Sequence, residues 1–170
     1  MPKVLISDQL SQNAVDIFAA HGVETDVKTG LSQQEMQSII GLYDGLAIRS
    51  ATKVTETLLA AATNLKVVGR AGIGVDNVDI AAATKRGVVV MNTPHGNAVT
   101  TAEHTMAMIM ALARQISEAS QLTKAGKWEK SRFMGTELTG KWLGLVGCGN
   151  VGSIVADRAQ GMKMRVLGYD

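Results

Sequence analysis

Residues 143–170 read LGLVGCGNVGSIVADRAQGMKMRVLGYD, and the order of features within them decides the fold of this end of the chain. An apolar run leads into Gly147, Gly149 and Gly152, which fit G-x-G-x-x-G, and the helical run NVGSIVADRAQ begins within that loop. The first glycine permits a tight turn, the second lets a pyrophosphate approach the backbone, and the third lets helix and strand pack closely. The amides of Asn150 and Val151 then stand at the positive end of a helix, where an anion is favoured. A second strand, MRVLGYD, ends on Asp170, 18 residues past Gly152. A carboxylate there accepts hydrogen bonds from both ribose hydroxyls and repels a 2′-phosphate, which favours NAD over NADP. Glycines that serve packing alone are the competing reading, and the strand–loop–helix–strand–acid order argues against it.

Upstream, short β-rich runs alternate with helical ones. KVLIS plus Asp8 (3–8), VETDVKT, GLAIRS, LKVVGR and VVVMNT read as strands. Between them, Ala14, Val15, Ile17 and Phe18 recur at helical spacing before Gly22, and Ser32 with Glu35 forms a capping box. VTETLLAAATN and DNVDIAAATKRG supply two more helices. Such alternation predicts an α/β unit, a parallel sheet covered on both faces. A second capping box, Thr100 and Glu103, predicts the start of one long helix running through AMIMALARQISEASQLTKAG. Its Met106, Ile109 and Met110 make an apolar stripe suited to a core or a subunit interface. The polar, irregular stretch GKWEKSRFMGTELTGK follows, with Trp128 and Trp142 expected to anchor it. The domain boundary falls near residues 96–100, dividing the chain into 1–97 and 98–170.

The chain has 170 residues, 46% of them apolar, which suffices for one ordinary domain or two small ones. A net charge of +2 is too weak to argue for nucleic acid or a membrane surface as partner. One cysteine, Cys148, excludes an internal disulfide and fits a reducing compartment. The N-terminal MPKVLISD has neither a long apolar run nor a small-residue cleavage pattern, and no apolar stretch reaches spanning length. A soluble cytoplasmic protein is expected.

Three further stretches carry a family resemblance: GRAGIGVDNVDI (69–80), MNTPHGNAVTTAEHTMAMIMALAR (91–114) and GKWEKSRFMGTELTGKWLGLVGCGNVG (126–152). With IRSATKVT at 48–55, they resemble the D-2-hydroxyacid dehydrogenase family, most closely its D-3-phosphoglycerate dehydrogenase branch. The resemblance implies a flavodoxin-like parallel-sheet substrate (lid) domain at 1–97. The start of a Rossmann NAD-binding domain follows at 98–170. It also implies NAD-dependent oxidation of 3-phospho-D-glycerate to 3-phosphohydroxypyruvate in L-serine synthesis, by a homodimer or higher homo-oligomer.

Carried over residue by residue, the loop Gly72, Ile73 and Gly74 binds the substrate carboxylate through backbone amides. Glycines flanking one residue do let successive N–H groups converge on an anion. Ile73 also faces the nicotinamide side, where relatives often have a hydroxyl and this chain offers only backbone or apolar contact. Arg49, Arg70 and Lys130 are the cations matched to the substrate phosphate, the last reaching across from a partner subunit. Arg49 and Arg70 end predicted parallel strands, where open α/β sheets bind ligands. A solvated surface cation remains the other reading for each, most of all for Lys130.

His95 sits in a Thr-Pro-His segment like the one holding the family's catalytic histidine, but before the glycine loop rather than after it. It reads as a partly exposed loop histidine, His104 as structural, and His21 as a helix-end cation. None has a spacing partner for a metal. Cys148 reads as a small residue fitting a cramped turn. The family's catalytic arginine, glutamate and histidine match no residue here, so the 170 residues alone are expected to be inactive. Open sheet edges and uncovered apolar faces are expected as an aggregation hazard. Other D-2-hydroxyacid dehydrogenases, such as a glyoxylate or hydroxypyruvate reductase, are the nearest alternative. A non-catalytic NAD-responsive binding protein and a short assembly partner of a longer homologue are the others.

Overall fold

Short apolar strands that each enter a helix through a turn leave the chain no option but right-handed crossovers, and a parallel sheet results. A computed structural model describes residues 1–170. It falls into two compact units, Met1–Gly96 and Asn97–Asp170.

In the first unit the order is β1 (Lys3–Ile6), α1 (Gln12–Ala20), β2 (Glu24–Val27), α2 (Gln33–Ile39), β3 (Gly45–Ile48), α3 (Glu56–Ala61), β4 (Val67–Arg70), α4 (Ile80–Lys85) and β5 (Val89–Asn92). All five strands are parallel, in the order β2-β1-β3-β4-β5. This is the flavodoxin-like arrangement. Ser32 and Glu35 close the capping box at α2 reciprocally. Thr55 and Asp79 cap α3 and α4 from their side chains. Gly22 and Gly87 follow their helices at φ +69°, the left-handed conformation that ends a helix without a Cβ penalty.

One sheet face is fully covered. Leu5, Leu46, Ile48 and Val68 pack on Met36 of α2, Leu58 and Leu59 of α3, and Ala82 and Ala83 of α4. The other face is only half covered, contrary to expectation. There α1 brings Val15 and Phe18 onto Val4, Ile6 and Ala47. A helix about 10 Å across spans roughly two strands spaced about 4.8 Å apart. In register beyond them on the same face, Val89 and Met91 of β5 are 57% and 56% exposed. Ile17 faces outward from α1 rather than joining the core.

The sheet's N-terminal end carries a charged cluster. Lys3 pairs with Glu24 at 3.0 Å and Asp26 at 3.1 Å, and Asp44 pairs with Lys66 at 2.8 Å. Tyr43 is buried, and its hydroxyl donates to Asp26 at 2.7 Å. Burial, then the Asp26 carboxylate, pushes the Tyr43 phenol up to about 12. The Tyr43 bond, then Lys3, holds Asp26 below the usual carboxylate range, and Lys66 does so for Asp44. Carboxylates depressed in the folded state add stability above their unfolded pKa of about 4, lost as pH falls through the folded value. Melting temperature should therefore drop between about pH 4 and pH 2, with a shallower slope in Asp26→Asn; equal slopes in thermal melts of the two proteins would refute this.

The second unit contains α5 (Ala98–Ala113), α6 (Ile116–Lys124), β6 (Trp142–Val146), α7 (Asn150–Gly161) and β7 (Arg165–Tyr169), with β6 and β7 parallel. The expected single long helix is broken. Gln115 adopts φ 53° and ψ 37°, a left-handed conformation that stops the α-helical ladder between α5 and α6. Helix α5 also starts at Ala98 behind Asn97, two residues before Thr100, so no capping box forms there. Ala102 and Met106 pack on Val155 and Ala159 of α7, with Ile109 alongside, whereas Met110 is exposed. The stripe is thus core for two of its three members. His104 faces solvent and has no structural partner.

FMGTEL closes the end of α5. Gly135 takes φ +61°, a Cβ there would lie 2.9 Å from Ala113 O, and the Thr136 amide donates to Ala113 O at 2.7 Å. Trp128 is 79% exposed and anchors nothing, while Trp142 is mostly exposed beneath the Arg165 guanidinium. The β6–β7 face away from α7 presents Val146, Leu167 and Tyr169 to solvent. No helix is long and apolar enough to cross a membrane.

Candidate functional site: two glycine loops

In the first unit, β3 and β4 are adjacent and in register at Ile48 and Arg70, so Arg49 and Arg70 emerge side by side at the C-terminal sheet end. Their surroundings differ. Arg49 is exposed and pairs with no carboxylate. The Arg70 side chain is only 11% exposed and folds beneath the loop that follows it. Its Nε donates to Arg49 O at 3.2 Å, one terminal nitrogen donates to Gly74 O, and the other lies 3.6 Å from Asp76.

That guanidinium lies close against the glycines. A Cβ on Gly72 would lie 3.1 Å from an Arg70 nitrogen, and one on Gly74 would lie 3.3 Å from the same nitrogen and 2.9 Å from Asp76 Oδ1. The loop is braced from the other side by Asn92, whose amide donates to Ile73 O at 2.6 Å, and by Thr93 N–H to Gly72 O at 2.9 Å. Gly72 N–H turns back to Arg70 O at 2.9 Å. Of the three amides expected to face an anion, Ile73 and Gly74 therefore keep theirs free, and Gly72 shapes the turn.

In the second unit, Gly147 turns the chain at φ +93° and donates its N–H to Tyr169 O at 2.7 Å. A Cβ on Gly152 would overlap the Gly147 carbonyl, and its next neighbour would be Leu145 at 3.3 Å. Gly149 has nothing within 4 Å of its Cβ position, so the backbone at the start of α7 is open to a ligand. The amides of Asn150 and Val151 lie in the first turn of that helix. Asp170 accepts from Cys148 N–H at 3.1 Å on one oxygen, which holds the acid at the rim of the loop and leaves the other oxygen available. Cys148 is half-buried with its sulfur over Gly168, where a Cβ would lie 2.7 Å away.

Lys130 lies in this unit, on the exposed 3₁₀ turn Lys130–Arg132, and makes no ion pair. His21 closes α1 by its ring nitrogen to Ile17 O at 2.8 Å, and His95 is exposed in the turn after β5. No three His, Cys, Asp or Glu side chains gather as a metal site.

Sequence reasoning passed over Asp8, Thr52, Asn77 and Asn92, all of which hold the first loop system in place. Asp8 left one trace, an acid two residues past a strand whose last three residues are apolar and buried.

A flavodoxin-like sheet with a glycine loop at its ligand end, followed by a G-x-G-x-x-G βαβ unit, is the architecture of an α/β dehydrogenase. Residues 4–162 match the catalytic-domain model of the D-isomer specific 2-hydroxyacid dehydrogenases, and the chain belongs to that family. Among curated relatives, the D-3-phosphoglycerate dehydrogenases of Synechocystis sp. and Archaeoglobus fulgidus are 51% and 48% identical over 100% and 99% of this chain. Those alignments cover 30% and 32% of the relatives, so the chain spans about a third of their length. The solved structure of NAD+-bound 3-phosphoglycerate dehydrogenase from Entamoeba histolytica matches with a TM-score of 0.80 at 32% identity. That match covers 99% of this chain and 54% of the other.

Proposed function

We propose that this chain carries the substrate-anion loop and the dinucleotide loop of an NAD-dependent dehydrogenase acting on 3-phospho-D-glycerate, at the start of L-serine synthesis in the cytoplasm. The observation that carries the reading is a free, exposed Arg49 beside the free amides of Ile73 and Gly74. That is a cation next to an amide nest, suited to a small ligand with an anion at each end. The substrate carboxylate goes to Ile73 and Gly74, and the phosphate to Arg49, with Arg70 adding charge from beneath and Lys130 contributed by a partner subunit. Whole-chain identity to phosphoglycerate dehydrogenases supports the phosphate over an unphosphorylated hydroxy acid.

For the cofactor, the open backbone at Gly149, with Asn150 and Val151, receives the pyrophosphate, and the free oxygen of Asp170 receives the ribose hydroxyls. NAD, when bound, supplies the hydride acceptor. The exposed Met108, Leu112 and Ile116 of the α5–α6 region support a homodimer.

The chain binds but does not turn over in this reading, since hydride transfer to a 2-oxo acid also needs a cation and an acid at the reacting oxygen. The test is fluorescence titration of the chain with NADH and NADPH. NADH should bind at least tenfold more tightly, and Asp170→Ala should erase the preference. Equal affinities in the unaltered chain would overturn the cofactor assignment, and steady reduction of 3-phosphohydroxypyruvate by these 170 residues would overturn the binding-only reading.

A further inference from the structure

Arg49 has a fixed base and a free tip, and the base is fixed by Arg70 together with Asp8 and Asn77, which touch no ligand in the reading above. Asp8, 6% exposed, follows β1 after Ser7. Its Oδ2 accepts from Arg49 N at 2.6 Å and from the amides of Ala51 and Thr52, both at 3.2 Å. Its Oδ1 accepts from Thr52 N at 3.1 Å and Thr52 Oγ1 at 2.6 Å. Every group facing this carboxylate is therefore a donor. A carboxylate is acceptor-only and suits that ring, whereas an amide would present its own N–H groups to it.

On the far side of Arg49, its carbonyl accepts from Asn77 Nδ2 at 2.8 Å and Arg70 Nε at 3.2 Å. Asn77 also donates to Thr52 O at 2.6 Å. Both peptide groups flanking the Arg49 Cα are thus held, one by Asp8 and the other by Asn77 and Arg70. Holding both fixes φ and ψ, and with them the direction in which the side chain leaves the backbone.

We propose that Asp8 is a positioning residue for phosphate recognition: its buried carboxylate sets the Arg49–Thr52 loop so that the Arg49 guanidinium points at the phosphate end of the substrate. The inference rests on the assignment of the phosphate to Arg49. Burial alone would raise the Asp8 pKa, but the Thr52 hydroxyl and the Arg49, Thr52 and Ala51 amides outweigh it and keep the group depressed, as a charged clamp requires.

All these residues lie in Met1–Gly96, so the chain itself serves for the test. Backbone-amide NMR titrations with 3-phospho-D-glycerate and with D-glycerate would compare the unaltered chain, Asp8→Asn, Arg49→Gln and the double variant. Asp8→Asn should weaken 3-phosphoglycerate binding about fivefold or more, leave D-glycerate within twofold, and add less than twofold in the Arg49→Gln background. Thr52→Ser, which keeps the hydroxyl donor, should bind as the unaltered chain does. Thr52→Val should lose twofold or more, and it stands in if Asp8→Asn does not fold.

An Asp8→Asn chain that loses affinity equally for both ligands, or by the same factor with Arg49 already replaced, would reduce Asp8 to a structural residue. Unchanged affinity in Asp8→Asn alongside a weakened Arg49→Gln would sink this inference and spare the substrate assignment. Arg49→Gln binding 3-phosphoglycerate normally would sink both.

Discussion

A Gly152→Ala chain should lose about 2–3 kcal/mol of stability in its second unit, and dinucleotide binding with it. The added methyl would overlap the Gly147 carbonyl oxygen, a backbone atom with nowhere to go. Gly147 is pinned by its left-handed φ of +93° and by the 2.7 Å bond from its N–H to Tyr169 O in the neighbouring strand. Relief must come from sliding α7 off β6, which opens the packing of Val155 and Ala159 on Ala102 and Met106. At roughly 4–8 °C per kcal/mol for a unit of this size, the melting transition should fall by about 10 °C or more. Gly149→Ala is the matched contrast. Its Cβ would meet no protein atom within 4 Å and its φ of −65° suits any residue, so the fold should stand while NADH affinity falls tenfold or more. Calorimetry and NADH fluorescence on the two variants separate the roles, and a Gly152→Ala chain with unaltered melting would disprove the close-packing account.

The second large effect is expected at Arg70. Arg70→Ala removes a guanidinium that is only 11% exposed: Gly74 O loses its partner, Arg49 O keeps only the Asn77 amide, and the exposed Asp76 turns to solvent. Hydrogen bonds from a charged donor are worth about 1.5–3 kcal/mol each, so a loss on the order of 3 kcal/mol is expected, with the glycine loop 72–74 losing its floor. Arg49→Gln, by contrast, removes an exposed tip and should leave melting within about 4 °C, because exposed surface substitutions rarely exceed about 0.5 kcal/mol. Both should weaken 3-phosphoglycerate binding. Only Arg70→Ala should also raise amide hydrogen exchange at Gly72 and Thr93, whose N–H groups are bonded within the loop and its brace, and equal exchange in the two variants would show that Arg70 acts from outside the loop.

Most of the fold was legible because its signals are local. Ser32 and Glu35 announce a helix start through a bond three residues long, and Gly22 and Gly87 announce helix ends through one dihedral angle. The G-x-G-x-x-G loop was legible for the same reason. Errors arose where tertiary context decided. Thr100 and Glu103 have the capping spacing, yet Asn97 starts the helix earlier, and no periodicity warns that Gln115 will break it. Exposure of Trp128 and half-coverage of the sheet depend on what packs where, which spacing does not encode.

The first ligand loop was legible as a set of residues but not as a mechanism. GRAGIGVDN marks Arg70, Gly72 and Gly74, but nothing in the string says that the arginine lies beneath the glycines and bonds to the Gly74 carbonyl. The position of Asp8 after a strand was its one trace, and its role was not legible because its partners are 41 to 44 positions away.

The two ends of the five-stranded sheet answer to different demands. Asp8, Arg49, Arg70 and Asn92 stand at or just past the strands' C-termini, while Lys3, Glu24, Asp26, Tyr43, Asp44 and Lys66 form the ion cluster at the opposite rim. A strand of four residues separates the two rims by roughly 13 Å, beyond the reach of a shared hydrogen bond. For protein engineering this is a ready partition. Libraries confined to the ionic rim can be selected for heat or acid tolerance without drifting in ligand preference, and libraries at the other rim can be selected for new ligands on a foundation that stays put.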